Sequence, residues 1–203
     1  MNRPRAVIDL HCHTDASFDC LASPESVVRA AATRGLTHLA ITDHDRIDGA
    51  LRARDAAPAG LTVLIGEEIR TREGDLICVF LERPIPSGLP VVETIAAARE
   101  QGALVGIPHP FDRHRASLLL DPDREDLAEQ VDWLETWNAR IIAGGGNKRA
   151  AAFARTSGLP GLSVSDAHSI LEVGVAFSTL HGDPSTPAGL RAALQSTAHG
   201  VAR

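Results

Sequence analysis

Aromatic side chains are scarce in this sequence, with five Phe, two Trp and no Tyr among 203 residues. A core here has to be packed from Ala, Val, Leu and Ile. Cysteine is equally thin: Cys12, Cys20 and Cys78 are odd in number and show no CxxC spacing. That argues against a disulfide framework and fits a reducing compartment. No apolar run approaches the roughly 18 residues that span a bilayer. Met1-Asn2-Arg3-Pro4-Arg5 leads into a strand-like run, not the apolar centre of an export signal. A cytoplasmic protein without a membrane segment is expected. A broad basic face is missing too. The formal charge of −6 opposes tight, unassisted binding to nucleic acid, but not a nucleotide held through cations.

What is present alternates. Short apolar runs at 6–10, 36–42, 61–65, 76–81, 103–107, 131–136, 162–164 and 175–180 read as strands. Amphipathic segments separate most of them. Ser23-Pro24-Glu25 opens a helix with an N-cap, a proline in the first turn and an acid at the positive end of the dipole, and Gly35 closes it. Further helices are expected over 50–57, 91–101, from the Gly144-Gly145-Gly146 turn through Phe153, and over 187–195. Arg72-Glu73-Gly74-Asp75 reads as a hairpin turn. No repeat or linker divides the chain, so one α/β domain over residues 1–203 is expected, a parallel sheet or barrel with roughly seven main strands.

Nine histidines stand out. His11, His13, His44, Glu68, His109, Asp166 and His168 all fall at, or just past, the C-terminal ends of expected strands, the edge where α/β barrels collect ligands and catalytic groups. His11 and His13 alternate onto one face, and Asp166 with His168 repeats the spacing. An isolated HxH or DxH is weak evidence, since a buried His is commonly just hydrogen-bonded. A structural role does not require imidazoles and carboxylates at so many strand ends, whereas metal binding does. Imidazole with carboxylate suits Zn, Mn or Fe better than Ca or Mg.

Five segments, Asp9-Leu10-His11-Cys12-His13-Thr14, Ile41-Thr42-Asp43-His44-Asp45, Gly66-Glu67-Glu68-Ile69, Ile107-Pro108-His109-Pro110-Phe111 and Ser165-Asp166-Ala167-His168, together resemble the PHP (polymerase and histidinol phosphatase) family. The resemblance implies an amidohydrolase-like, distorted (β/α)7 barrel and a metal-dependent phosphoesterase with two or three divalent ions. By the same resemblance, His11, His13 and Asp166 hold a first ion. Asp19, His44 and His168 hold a second, and Glu68 bridges in preference to Glu67. His109 belongs to a third site, whose hairpin His in relatives is replaced here by Asp75. As plain residues, Asp19 also reads as a loop or capping acid and Asp75 as a turn residue.

The chemistry expected is attack by a metal-activated hydroxide on a phosphate ester, with Asp166 and Asp45 as candidates to orient the water or relay its proton. Asp45 reads equally well as a partner of His44. Arg113, Arg115, Asn138 and Arg140 are candidate substrate-binding residues, because guanidinium forks suit phosphate. Trp133 and Trp137, four apart, are expected on one face of a strand, chiefly packing. The Gly144–Lys148 run lacks the spacing of a phosphate-binding loop. The expected substrate is a small phosphorylated metabolite, a nucleotide or an oligonucleotide end, and a homo-oligomer is compatible with it. Two alternatives are a non-catalytic metal-binding module and an amidohydrolase cutting C–N bonds. The latter calls for a barrel lysine, and the chain has only Lys148.

Overall fold

Each β-rich apolar run becomes a strand and each amphipathic stretch a helix laid against it. In order, these are β1 (Arg5–Asp9), α1 (Pro24–Thr33), β2 (His38–Ile41), α2 (Asp48–Asp55), β3 (Thr62–Arg70), β4 (Asp75–Val79), α3 (Val91–Glu100), β5 (Leu104–Ile107), β6 (Trp133–Asn138), α4 (Gly146–Ser157), β7 (Gly161–Val164), β8 (Ser178–His181) and α5 (Pro187–Gln195). Between β5 and β6 run two 3-10 stretches, Leu118–Leu120 and Pro122–Glu129. The computed structural model describes residues 5–120 and 122–195. The N-terminal Met1–Pro4 segment, read above for its lack of an export signal, lies outside them.

The strands form one sheet in the order β7-β6-β5-β4-β3-β2-β1-β8, curled into a nearly closed barrel. This is the α/β architecture expected, with two antiparallel elements. β4 runs antiparallel to both β3 and β5, and β8 runs antiparallel to β1. The barrel closes between β7 and β8 through a side chain: Ser178 Oγ accepts from Ser163 N at 2.8 Å and donates to Ser163 O at 3.1 Å. Above that seam the loops following β1 and β7 pair directly, with His13 N donating to Ala167 O and Asp166 N donating to His11 O, both at 2.9 Å.

Aliphatic alternation fixes which face goes inside. Ile8, Leu10, Leu64, Val79, Leu104 and Leu180 fill the barrel, and Leu190 and Leu194 of α5 plug its lower end. The opposite faces pack on the helices: Val27, Val28 and Ala31 of α1 against Leu39 and Ile41, and Ile95 and Ala98 of α3 against Cys78 and Val105. Ser23 caps α1 as expected, its side chain accepting from Ser26 N at 3.3 Å.

Two expectations change in detail. β3 does not end at Ile65. Pairing with β4 carries it to Arg70, so Glu68 lies within the strand opposite Ile77. Gly66 lets the strands close up, since a Cβ there would sit 2.9 Å from Cys78 O. Trp133 and Trp137 do not share a face either. A register shift between Glu135 and Trp137 breaks the alternation, leaving Trp133 buried over Gly106 and Trp137 44% exposed.

Candidate metal centre

All nine candidate ligands converge above the upper end of the barrel, in three groups. His11, His13 and Asp166 form one; His13, Asp19, His44 and His168 another; Glu68, Asp75 and His109 the third. Within each group the donor atoms lie within 4.8 Å of one another. β1 delivers His11 and His13 as an extended continuation whose alternate residues face the same way. Glu68 comes from within β3, and the same alternation turns Glu67 outward, where its Oε2 accepts from Ile85 N at 2.9 Å. His109 and Asp166 take up left-handed backbone at φ 28° and 53°. Such conformations are costly for non-glycine residues and collect at functional sites.

Hydrogen bonding outside the cluster decides what faces inward. His11 Nδ1 lies 2.6 Å from Glu135 Oε1, a carboxylate that can only accept, so Nδ1 carries the proton. Ser17 Oγ donates to Asp43 Oδ1 at 2.7 Å, so it accepts from His13 Nδ1 at 3.1 Å. Both rings therefore turn Nε2 lone pairs inward, 3.0 Å apart. Glu68 Oε2 lies 3.2 and 3.3 Å from them, and Asp166 Oδ1 lies 3.5 and 3.6 Å away. With both imidazoles neutral, four acceptors thus meet with no donor among them, and without a cation the cluster must draw protons onto the rings instead. Acceptors repel unless a cation lies between them, and this arrangement fits a divalent ion.

The same logic extends outward. Glu68 Oε2 is 3.3 Å from His44 Nδ1, while its Oε1 is 2.9 Å from His109 Nε2, so one carboxylate touches members of all three groups. Asp19 Oδ2 sits 3.0 Å from His168 Nε2 and 3.6 Å from His44 Nε2. Asp75 is almost fully buried, its Oδ1 accepting from Arg70 Nε at 2.5 Å, unlike an exposed turn residue.

Charge follows geometry. Burial disfavours a proton on His13, but Asp166 and Glu68 outweigh it and lift the ring to about 9. His11 is likewise raised, against burial, by Asp166, Glu135 and Glu68. Burial opposes ionisation of Glu68 and Asp166, yet the imidazoles facing them hold both well below the carboxylate range. Burial, then the neighbouring Glu68, raises Asp75. Protons that carboxylates pull onto imidazoles are those a bound cation displaces.

The other predicted residues divide. Arg115 bridges Asp112 and Asp166 and reaches Asn138. Asn138 is buried, donating to Glu135 Oε2 at 2.8 Å and Asp166 Oδ2 at 2.9 Å. Arg140 meets His168 Nδ1 at 2.5 Å, and Arg115 and Arg140 both line the cavity of about 580 Å³ over the cluster. Two candidates are not brought to the cluster. Arg113 is exposed and does not line the cavity. Asp45 is exposed, and its Oδ1 accepts from Arg70 N at 2.9 Å, so the water-orienting or proton-relay role expected of it has no geometric basis. Its φ of 55° belongs to the turn this bond holds.

Sequence reasoning passed over the residues behind the ligands. Glu135 supports His11, and its Oε2 accepts from His109 N at 2.7 Å. Asp43 fixes Ser17 and accepts from Thr14 N at 2.7 Å. Asp9 accepts from Ser165 N at 3.1 Å and His11 N at 3.3 Å. Their one signal is a carboxylate set in or at the end of an otherwise apolar strand. Lys148 is exposed at the start of α4, outside the barrel.

Residues 9–143 match the model of the PHP domain, and residues 144–198 match that of a PHP-associated domain. An uncharacterized protein of Methanocaldococcus jannaschii is 32% identical over 173 residues, 84% of this chain and 68% of that protein. A two-domain protein of Bacteroides vulgatus, containing a predicted PHP-like metal-dependent phosphoesterase, superposes with a TM-score of 0.81 at 19% identity. The match covers 96% of this chain and 64% of that one. The lesion-specific endonuclease Q of Pyrococcus furiosus is similar in fold, with a TM-score of 0.69 at 19% identity over 96% of this chain and 57% of its own. The chain therefore spans somewhat less than two thirds of these two solved neighbours.

Proposed function

The chain belongs to the PHP domain family, and from that premise we propose that it hydrolyses a phosphate ester of a small metabolite or nucleotide with two or three bound divalent ions, Zn, Mn or Fe. The observation that carries this reading is the convergence of His11 Nε2, His13 Nε2, Glu68 and Asp166, four acceptors without a donor once the imidazoles are neutral, beneath a cavity lined by Arg70, Arg115 and Arg140. His11, His13 and Asp166 would hold one ion, Asp19, His44 and His168 a second, and Glu68, Asp75 and His109 a third. Such ions supply an acidified water as nucleophile and positive charge against the phosphoryl oxygens.

The chain's own groups do the rest. Arg140, partly exposed at the mouth, is placed to fork onto a phosphoryl group entering the cavity. Arg115 faces the same space while neutralising Asp166. Glu135 and Ser17 keep the protons of His11 and His13 on the outward nitrogens. Asp166 Oδ1 faces the cluster while Oδ2 is held by Asn138, so Asp166 can accept a hydrogen bond from the attacking water and orient it without losing its own position. Its left-handed backbone keeps both contacts in place.

The test is metal content, followed by turnover of a panel of phosphomono- and diesters under Zn, Mn and Fe(II). Activity on at least one ester is expected, lost in His11→Ala and Asp166→Ala while the chain stays folded. His38→Ala, at the first residue of β2, should affect stability more than turnover. Metal-loaded protein inactive on every ester would favour the non-catalytic module, and protein that binds no ion would remove the reading.

A further inference from the structure

In a chain with only five Phe and two Trp, Phe18 stands in the open. It is 86% exposed, yet it lines the cavity over the ion cluster. Its ring lies nearly parallel to that of His44, with centroids 5.0 Å apart and planes at 25°. The loop is anchored on both sides of it, by Asp19 to His168 at 3.0 Å and by Ser17 to Asp43 at 2.7 Å, so the ring is presented from a fixed backbone. Ile142, 95% exposed, lines the same cavity beside Ile141. The cavity thus has a charged floor and an apolar lip.

A bare phosphate or a sugar phosphate would use the floor and leave the lip in water. Apolar area left uncovered returns nothing, whereas covering it gains roughly 25 cal/mol per Å². The volume, about 580 Å³, is of the size that takes a ligand well beyond a phosphate ion. A planar ring is the shape that covers an exposed Phe, and base-on-aromatic stacking contributes about 1–3 kcal/mol without reading the base's edge.

We propose that Phe18 is a stacking platform for a nucleobase, so that the ester cleaved at the ion cluster belongs to a phosphorylated nucleoside. This rests on the hydrolase reading of the same site. Phe18 is then a specificity-determining residue: it touches the base, not the reacting phosphorus. Its stacking on His44 keeps the base beside the second ligand group.

The experiment compares 3′- and 5′-AMP with ribose 5-phosphate on manganese-loaded full-length chain, as wild type, Phe18→Ala and Phe18→Trp. Both kcat/KM and calorimetric Kd are measured. The wild type should prefer at least one nucleotide over ribose 5-phosphate. In Phe18→Ala that preference should fall about tenfold, mostly through KM, and Phe18→Trp should restore it. Loss of the preference in Ala but not Trp separates stacking from mere support of His44, which would lower both substrates together. No nucleotide preference in the wild type, or one that Phe18→Ala leaves unaltered, overturns the proposal. If no ester is turned over, the binding arm still decides. Phe18-dependent nucleotide binding without hydrolysis would sink the hydrolase reading and keep the platform, and equal binding of nucleotide and ribose phosphate would sink the platform.

Discussion

His11 presents a lone pair inward because Glu135 takes the proton on its far side, and the same carboxylate holds the backbone of His109 and the amide of Asn138. Glutamine at position 135 has one acceptor for these three donors and turns an N–H at one of them. Glu135→Gln should therefore weaken metal affinity and turnover by about ten- to a hundredfold, the usual effect of losing a carboxylate behind a ligand histidine. Metal titration and kcat/KM within twofold of wild type would mean that Glu135 has no such role. Asp75 poses the complementary question. Its burial beside Glu68 and His109 predicts that Asp75→Ala lowers metal per chain by one, and that Asp75→His preserves or raises it. Equal stoichiometry in all three proteins would leave Asp75 as the partner of Arg70 alone.

β3 shows how one strand sorts adjacent acids. Glu68 faces the cluster and Glu67 the opposite side, where burial raises its carboxyl to about 7. A carboxyl raised on folding stabilises fully below its unfolded value, ordinarily about 4.3, and that contribution is lost as pH rises through about 7. The loss is on the order of 3–4 kcal/mol. With metal saturated, the melting temperature of wild type relative to Glu67→Gln should fall between about pH 4.5 and pH 7. Parallel pH curves for the two proteins would show that Glu67 is not protonated on folding.

At this scale the sequence was most informative. Strand ends, the helix opened by Ser23 and the ligand-bearing turns all follow from period and punctuation, because each is set by neighbouring residues. What escaped depends on partners far along the chain. The extension of β3 needs the β4 ladder, the bulge that parts Trp133 from Trp137 needs β7, and the importance of Glu135 and Asp43 appears only when His11 and Ser17 arrive from β1. Asp45 and Arg113 were misplaced for the same reason, since proximity in sequence to a ligand does not fix the direction of a side chain.

For the whole molecule, candidate ligands drawn from six strands would make ion binding and folding one equilibrium. An ion that binds only the folded chain at a hundred times its Kd stabilises it by about 2.7 kcal/mol, so chelation should lower the melting temperature by roughly 5–10 °C and abolish turnover together. A chelated protein that melts unchanged and stays active would mean that the clustered acceptors hold no ion. The dependence should steepen in acid. His11 and His13 take up protons readily beside Glu68 and Asp166, so metal affinity must fall as pH is lowered. Isothermal titration at pH 6 and pH 8 would measure the difference.

The hydroxyl that joins β7 to β8 carries a further consequence. Seven junctions of the barrel are backbone ladders, and the eighth is Ser178 bound to Ser163. A wall stitched everywhere but at one place opens there first, so amide protons flanking the gap should exchange with solvent sooner than those of β2 or β5. The two ligand-bearing loops meet over that same gap, His11 and His13 from the beginning of the chain and Asp166 and His168 from near its end. An ion held between them would act as a clasp across the opening. Hydrogen exchange in β7 and β8 should therefore quicken on chelation while exchange in β3 and β4 hardly moves, and uniform acceleration around the barrel would show that the clasp does not act there.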